Sequence, residues 1–158
     1  MRKTMIVLAT ATATAVVAWG GAASAVARPQ PKSPRRVVQA YVDDFNRGDA
    51  AAAASHFSRG AVFSTPLGSC TPCTGRDAIQ EKLSSAASAQ TQIAYTKPRV
   101  AKDTFRAASS ITSPNFPTGV SQAIGSFTAT VRNGKIVRLI QDYDRNDPET
   151  AALFATIG

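Results

Sequence analysis

The pair Asn133-Gly134 is the feature that most restricts the fold, because it stands between two stretches of strand-forming residues. An Asn-Gly pair favours the tight turn of a two-residue β-hairpin, since both residues tolerate a positive φ. The flanking stretches, residues 120–131 and 135–143, are rich in β-branched and aromatic residues. The sequence therefore predicts two long antiparallel strands near the carboxyl-terminal end of the chain.

Three further strands are predicted before this hairpin, at residues 61–65, 91–101 and 104–112. Pro98 lies inside the second of them. Because proline cannot donate a hydrogen bond to a neighbouring strand, it predicts a sheet edge or a bulge at that point. The order of these elements favours a curled antiparallel sheet.

Helices are predicted at three places among the early residues and at one place after the sheet. Ser33-Pro34 supplies a hydroxyl cap and a proline that favour a helix start, and residues 37–45 carry apolar side chains on one helical face. We expect a short alanine-rich helix at residues 50–57, a third after Gly75 and a last one after Asp147. This order indicates an α+β domain whose curled sheet is closed on its concave side by helices.

The first 27 residues have the layout of a secretory signal peptide, with Arg2 and Lys3 ahead of an apolar stretch that ends in small residues. We expect cleavage after Ala27, and a competing small-residue site ends at Ala25. Residues 28–33 then form a Pro-rich basic linker, and residues 34–158 form one domain. The predicted location is secreted or extracytoplasmic, and the alternative is an uncleaved amino-terminal anchor.

Charge and composition narrow the classes of partner. Removing Arg2 and Lys3 with the signal lowers the net charge from +8 to +6, and the other basic residues are scattered, so nucleic acid is not an expected partner. No stretch after the signal is long and apolar enough to span a bilayer. His56 is the only histidine, which argues against a zinc site. We expect His56 to be structural, and no metal or other cofactor is predicted.

Several segments resemble the SnoaL-like and ketosteroid-isomerase-like branch of the nuclear transport factor two superfamily, and they keep the order found in that branch. The resemblance covers nearly the whole chain from residue 34. The segments are Val37–Val42, Phe45–Asp49, Ala61–Phe63, Pro66–Gly68, Gly75–Ile79 and Ile136–Asp144. The resemblance implies a cone-shaped, curved antiparallel (mixed) sheet wrapped around helices, the cystatin-like α+β roll, with a pocket inside the cone.

Ketosteroid isomerase combines an aspartate base with a tyrosine and a protonated aspartic acid that hold the oxyanion. By the resemblance, Tyr41 stands at the tyrosine position, Thr65 where the base would be and Gly125 where the second acid would be. Leu83 replaces a supporting tyrosine. Threonine is not a base near neutral pH, and glycine has no side-chain donor. Steroid isomerisation by this route is therefore not expected.

Strand alternation then gives the side chains that face the interior. The predicted ligand pocket consists of Tyr41, Phe63, Thr65, Gly125, Phe127, Gln141 and Tyr143, with Ala61, Ala123, Val137 and Leu139 on the same strand faces. This wall is mostly apolar, and its hydroxyl and amide groups orient a ligand better than they transfer protons. Tyr41 and Tyr143 have a second interpretation as core tyrosines.

Two other features carry candidate chemistry. Asp144 ends the last strand near the predicted pocket rim, so Asp144 and Tyr41 are the candidate catalytic residues; the alternative for Asp144 is a salt bridge to Arg145 or Arg138. Cys70 and Cys73 are expected to form a disulfide in an oxidising compartment. The alternative for the two cysteines is a redox-active pair.

We therefore predict an exported domain that binds a small apolar molecule, and we leave open whether it catalyses a lyase, isomerase or cyclase type of reaction. The alternative is a non-catalytic domain whose convex sheet face forms a homodimer or docks a partner. That face consists of Gln122, Ile124, Ser126, Thr128 and Thr130. A cavity of about 300 Å³ or more favours binding, whereas a filled core favours interaction.

Overall fold

Four helices and six strands make up the part of the chain that the computed structural model describes, residues 32–68 and 71–157. The helices are α1 (Pro34–Asn46), α2 (Ala50–Ser55), α3 (Arg76–Ser88) and α4 (Pro148–Ile157). The strands are β1 (Phe57–Ser64), β2 (Cys73–Thr74), β3 (Gln92–Ala101), β4 (Thr104–Thr112), β5 (Ala123–Arg132) and β6 (Lys135–Tyr143). The predicted signal peptide, residues 1–27, lies outside these residues and stays a prediction.

The six strands form one mixed sheet in the order β2-β1-β6-β5-β4-β3. All neighbours pair antiparallel except β1 and β6, which run parallel. The amino-terminal strand therefore lies beside the last strand, and α3, the helix between β1 and β3, packs back against the sheet. The predicted α+β class, with a largely antiparallel mixed sheet and accompanying helices, is confirmed.

The local signals at the hairpin and at the edge strand are also confirmed. Asn133 and Gly134 both have positive φ values, 50° and 70°, as the turn between β5 and β6 requires. β3 is the outer strand of the sheet, and its pairing with β4 is interrupted between Thr96 and Arg99. Pro98 therefore lies at a bulge on the edge of the sheet. No neighbouring strand depends there on the N–H that proline lacks.

β1 begins at Phe57, four residues earlier than the sequence predicts, and α2 is correspondingly shorter. Phe57 is fully buried and pairs with Ile136 of β6. Because this pairing joins residues that are far apart in sequence, local periodicity does not reveal it. A two-residue strand, β2, also forms at the end of the predicted loop and pairs with β1.

A bulge in β6 changes which of its side chains face the core. Thr130 pairs with Arg138 and Val131 pairs with Ile136, so Val137 is an extra residue with no partner in β5. Ile136 is fully buried, whereas Val137 is only partly buried. The alternation that places Val137 on the inner face is wrong at this point, and Ile136 fills that place in the core.

α1 covers the concave side of the sheet through one apolar face. Ser33 caps its first turn by accepting a hydrogen bond from the backbone of Arg36. The buried residues of this face are Val37, Val38, Tyr41, Val42 and Phe45. None of the helices within residues 32–68 and 71–157 combines the length and the apolar character of a transmembrane segment.

Candidate functional site

A cavity of about 700 Å³ lies on the concave side of the sheet, among residues from seven elements and four loops. Tyr41 and Phe45 of α1, Phe63 of β1 and Gln141 and Tyr143 of β6 form the inner part of its wall. The remainder comes from α3, β3, β4, α4 and the loops after β1, α3, β4 and β6. It includes Thr65, Leu67, Lys82, Leu83, Ala86, Phe116, Arg145, Leu153 and Phe154. The volume is that of a small-molecule site.

The uncharged polar residues that line this cavity include Tyr41, Thr65, Gln141 and Tyr143; the others are Ser85, Thr91, Ser113, Asn115 and Thr156. Tyr41, Thr65 and Gln141 are buried, and Tyr143 is partly buried. The hydroxyl of Thr65 hydrogen-bonds to the phenol of Tyr143. Within the described residues, neither the Tyr41 hydroxyl nor the Gln141 amide has a hydrogen-bond partner, so both are available to a molecule in the cavity.

Burial keeps both phenols protonated. It raises the pKa of Tyr41 well above the 10.0 of an exposed tyrosine. Burial also raises the pKa of Tyr143, assisted by nearby Tyr41 and opposed by the hydrogen bond from Thr65. At neutral pH the two phenols are therefore hydrogen-bond donors and not bases.

Five of the seven predicted pocket residues line the cavity: Tyr41, Phe63, Thr65, Gln141 and Tyr143. Phe127 does not. It is buried in the core, where its ring stacks on Phe105 with centroids 5.4 Å apart and meets the edge of Tyr95 at 5.7 Å. The strand alternation gives the correct face for Phe127, but the adjoining rings fill the space in front of it.

Gly125 does not line the cavity either, and the reason is a close approach of two backbones. A Cβ at this position would lie 2.0 Å from the carbonyl oxygen of Asp142 and 2.8 Å from the Cα of Tyr143. Real Cβ atoms do not approach backbone atoms so closely. β6 therefore occupies the space that a side chain at position 125 would need, and glycine is required there for packing.

The second candidate catalytic residue, Asp144, does not line the cavity. Its carboxylate is exposed and accepts hydrogen bonds from the backbone (3.0 Å) and side chain (3.1 Å) of Asn146. Among the described residues it has no ion pair with Arg145 or Arg138. Asp144 thus stabilises the turn before α4, a role that neither interpretation of the sequence included.

His56 follows α2 and has a structural contact. Its Nε2 lies 2.6 Å from an Asp44 carboxylate oxygen, which joins the end of α2 to α1. No group of three or more metal-ligating side chains occurs in the part of the chain described. Cys73 is buried in β2, and Cys70 lies outside the described residues, so the disulfide stays a prediction.

α4 forms one wall of the cavity, which the sequence did not reveal. Glu149 accepts hydrogen bonds from the backbone N–H groups of Ser121 (2.7 Å) and Gln122 (3.1 Å), and from the Ser121 hydroxyl (2.6 Å). The buried Thr150 hydroxyl accepts a bond from the N–H of Ile124. These contacts fix the start of α4 against β5, so Leu153 and Phe154 come to face the cavity.

The sequence profile of the SnoaL-like domain matches residues 38–139 of this chain. No curated protein sequence matches it. Among solved structures, the fold is similar to that of an NTF2-like protein of unknown function from Cytophaga hutchinsonii, with 13% identity, a TM-score of 0.61 and coverage of 75% of this chain and 96% of that one.

Two further structures with this fold carry names of enzymes. The epoxide hydrolase/cyclase-like enzyme SalBIII is 22% identical, with a TM-score of 0.62 and coverage of 72% of this chain and 92% of that one. A putative ketosteroid isomerase from Kribbella flavida is 14% identical, with a TM-score of 0.58 and coverage of 70% and 77%. At these identities the likeness shows a shared fold and nothing further. Because the SnoaL-like profile matches more than half of this chain, the chain belongs to the SnoaL-like domain family.

Proposed function

We propose that this protein is exported and binds a small, largely apolar molecule in the cavity described above. The observation that carries the proposal is a space of about 700 Å³ lined by apolar side chains and by the donors of Tyr41, Gln141 and Tyr143. A few polar groups in an apolar wall are typical of sites that orient a small ligand. A core filled by its own side chains, as the interaction alternative requires, would leave no such space.

The chemistry of the wall favours a reaction in which the substrate supplies its own nucleophile. No carboxylate lines the cavity, and burial keeps the two phenols protonated. Two phenols and an amide are able to polarise a carbonyl or ether oxygen by donating hydrogen bonds to it. Ring closure within a bound substrate fits this set, and the same fold in an epoxide hydrolase/cyclase-like enzyme supports a cyclase or lyase type of role.

Native mass spectrometry of the protein purified from its producer's culture medium tests the proposal. We expect a chain that begins at Arg28, a mass two hydrogens below that of the reduced chain, and a bound small molecule. Ala86→Trp places an indole in the cavity and is expected to remove the bound mass, because Ala86 lies in the wall on α3.

Ser84→Trp is the matched control, since it adds the same ring to an exposed position of α3 that does not line the cavity. Ser84→Trp should retain the ligand. If the wild-type protein carries no ligand, and a library of steroids, polyketides and lipids gives no thermal shift that Ala86→Trp removes, the binding proposal is wrong. A protein retained inside the cell with residues 1–27 attached contradicts export.

The convex face of the sheet supports a second proposal, that two copies of the chain associate there. A shallow groove of about 600 Å³ on this face is lined mostly by small or uncharged side chains, among them Ala94, Thr96, Ala108, Ile124 and Ser126. The carboxylates of Asp142 and Asp144 also belong to its lining. The small side chains of this face let two sheets approach closely, as a self-complementary two-fold interface requires.

Sedimentation velocity measures the association of copies directly. We expect the wild-type protein to be a dimer and Ala108→Arg to be a monomer, because the added charges would meet across the two-fold axis. Gln80→Arg on α3 adds the same charge outside the sheet face and should remain dimeric. A monomeric wild-type protein at every concentration would exclude this second proposal.

A further inference from the structure

The charged groups of the cavity wall are all cationic. Lys82 on α3 and Arg145 after β6 line it, and none of the acidic residues in the described part of the chain does. The residues outside that part, 1–31, 69, 70 and 158, include neither Asp nor Glu. No acidic side chain of the protein is therefore placed to neutralise the cavity.

Lys82 is held in place at the cavity wall without an anionic partner. Its ammonium donates a hydrogen bond to the backbone carbonyl oxygen of Leu67 and packs against Gly68, where a Cβ would lie 2.2 Å from Nζ. It has no ion pair within the described residues. An ammonium has three N–H donors, so two remain for a ligand. Its partial burial lowers its pKa, as expected for a cation with no carboxylate beside it.

Arg145 is the second cation of the wall, and it too lacks an ion pair among the described residues. Its guanidinium carbon lies 4.3 Å from the centre of the Phe154 ring. This stacking holds the guanidinium at the cavity mouth and leaves its N–H edges available. A partly buried cation and an exposed cation thus line a cavity whose remaining wall is apolar or uncharged.

From these contacts we propose that the molecule bound in the cavity is a carboxylic acid with an apolar body, and that its carboxylate accepts hydrogen bonds from the ammonium of Lys82. Arg145 attracts the same carboxylate from the mouth. The apolar body lies against Phe45, Phe63, Leu83 and Leu153, and the donors of Tyr41 and Gln141 meet any oxygen deeper in the molecule. This inference rests on the proposed function and adds the chemical class of the ligand.

Two matched pairs of probes distinguish the contribution of the ligand's carboxylate to binding from the contribution of its apolar body. They are dodecanoate with 1-dodecanol, and 1-pyrenebutyrate with 1-pyrenebutanol. Dissociation constants are measured for wild type, Lys82→Met, Arg145→Gln and the control Lys102→Met, which removes the same charge from an exposed turn. The acid of at least one pair should bind wild type at least about tenfold more tightly than its alcohol, the range expected for a charge-assisted hydrogen bond.

Lys82→Met is expected to remove that preference by weakening the acid about 10- to 100-fold while changing the alcohol less than about threefold. Arg145→Gln should weaken the acid by a smaller factor, because the guanidinium is exposed and screened. Lys102→Met should change neither probe. Since methionine keeps the length of the lysine stem, unchanged melting temperatures would show that the fold is intact.

The outcomes separate this inference from the proposed function. If acid and alcohol bind wild type equally, and Lys82→Met affects both alike, the carboxylate inference is overturned while binding of an apolar molecule stands. If no acid binds, but the alcohols bind and Ala86→Trp blocks them, the same conclusion follows. If no probe of either pair binds to any variant, the carboxylate inference is overturned, and the ligand screen above decides the proposed function separately.

Discussion

Gly125→Ala is expected to lower the free energy of unfolding by about 3 kcal/mol, the upper part of the range for overpacked interiors. The added Cβ would meet the Asp142 carbonyl oxygen at 2.0 Å and the Tyr143 Cα at 2.8 Å. Because both contacts are with backbone atoms, no side-chain rotation relieves them, and β6 has to move away from β5. Urea unfolding followed by circular dichroism measures the change.

Gly60→Ala is the matched control, since Gly60 also lies in a strand but has open space around its Cα. We expect Gly60→Ala to be neutral or to stabilise the fold by up to about 1 kcal/mol, because alanine restricts the unfolded chain. If Gly125→Ala is as stable as Gly60→Ala, the close approach of β5 and β6 is wrong. If the contact is real, an aspartic acid cannot be placed at position 125 without moving β6, so the second isomerase acid is excluded by packing.

The second large effect is expected at alkaline pH, where the fold should lose stability through Tyr41 and Tyr143. Burial raises the pKa of both phenols above 10.0 in the folded chain. Above pH 10 the unfolded chain therefore releases protons that the folded chain keeps, and the unfolded state is favoured. The stability is fully present below pH 10. Above it, Tyr41 contributes a loss of about 1.4 kcal/mol per pH unit, and the less buried Tyr143 contributes a smaller one.

Urea unfolding between pH 8 and pH 11 (about one unit above the tyrosine pKa) measures this loss. Tyr41→Phe with Tyr143→Phe removes both titrating groups, so the difference in stability between wild type and this double variant should change above pH 10. The pKa values of Lys82 and Tyr95 are also shifted, but both residues are present in both proteins. Their contributions to the pH dependence of stability therefore cancel in that difference. A difference that stays constant across the whole range would contradict the burial of the two phenols.

Much of the secondary structure follows from short-range signals in the sequence. The Ser33-Pro34 start of α1, the Asn133-Gly134 turn and the edge position of Pro98 each depend on the dihedral angles or hydrogen bonds of a few neighbouring residues. The start of β1 at Phe57 could not be predicted in this way, because its partner Ile136 lies far along the chain.

The candidate site was predicted in part. Tyr41, Phe63, Thr65, Gln141 and Tyr143 line the cavity, since alternation along a regular strand assigns a side chain to one face. The same rule does not tell whether the space in front of that face is open. For Phe127 it is filled by aromatic neighbours, and the bulge at Val137 resets the alternation of β6.

By itself, the sequence determined the α+β class and the strands of the hairpin, because each is a property of residue types and their local spacing. Only the tertiary structure decided which side chains share the cavity. Tyr41, Lys82, Arg145 and Phe154 come from separate elements that meet through the parallel pairing of β1 with β6 and the docking of α4. A cavity is the space left between such elements, and its shape depends on long-range pairing that no local pattern encodes.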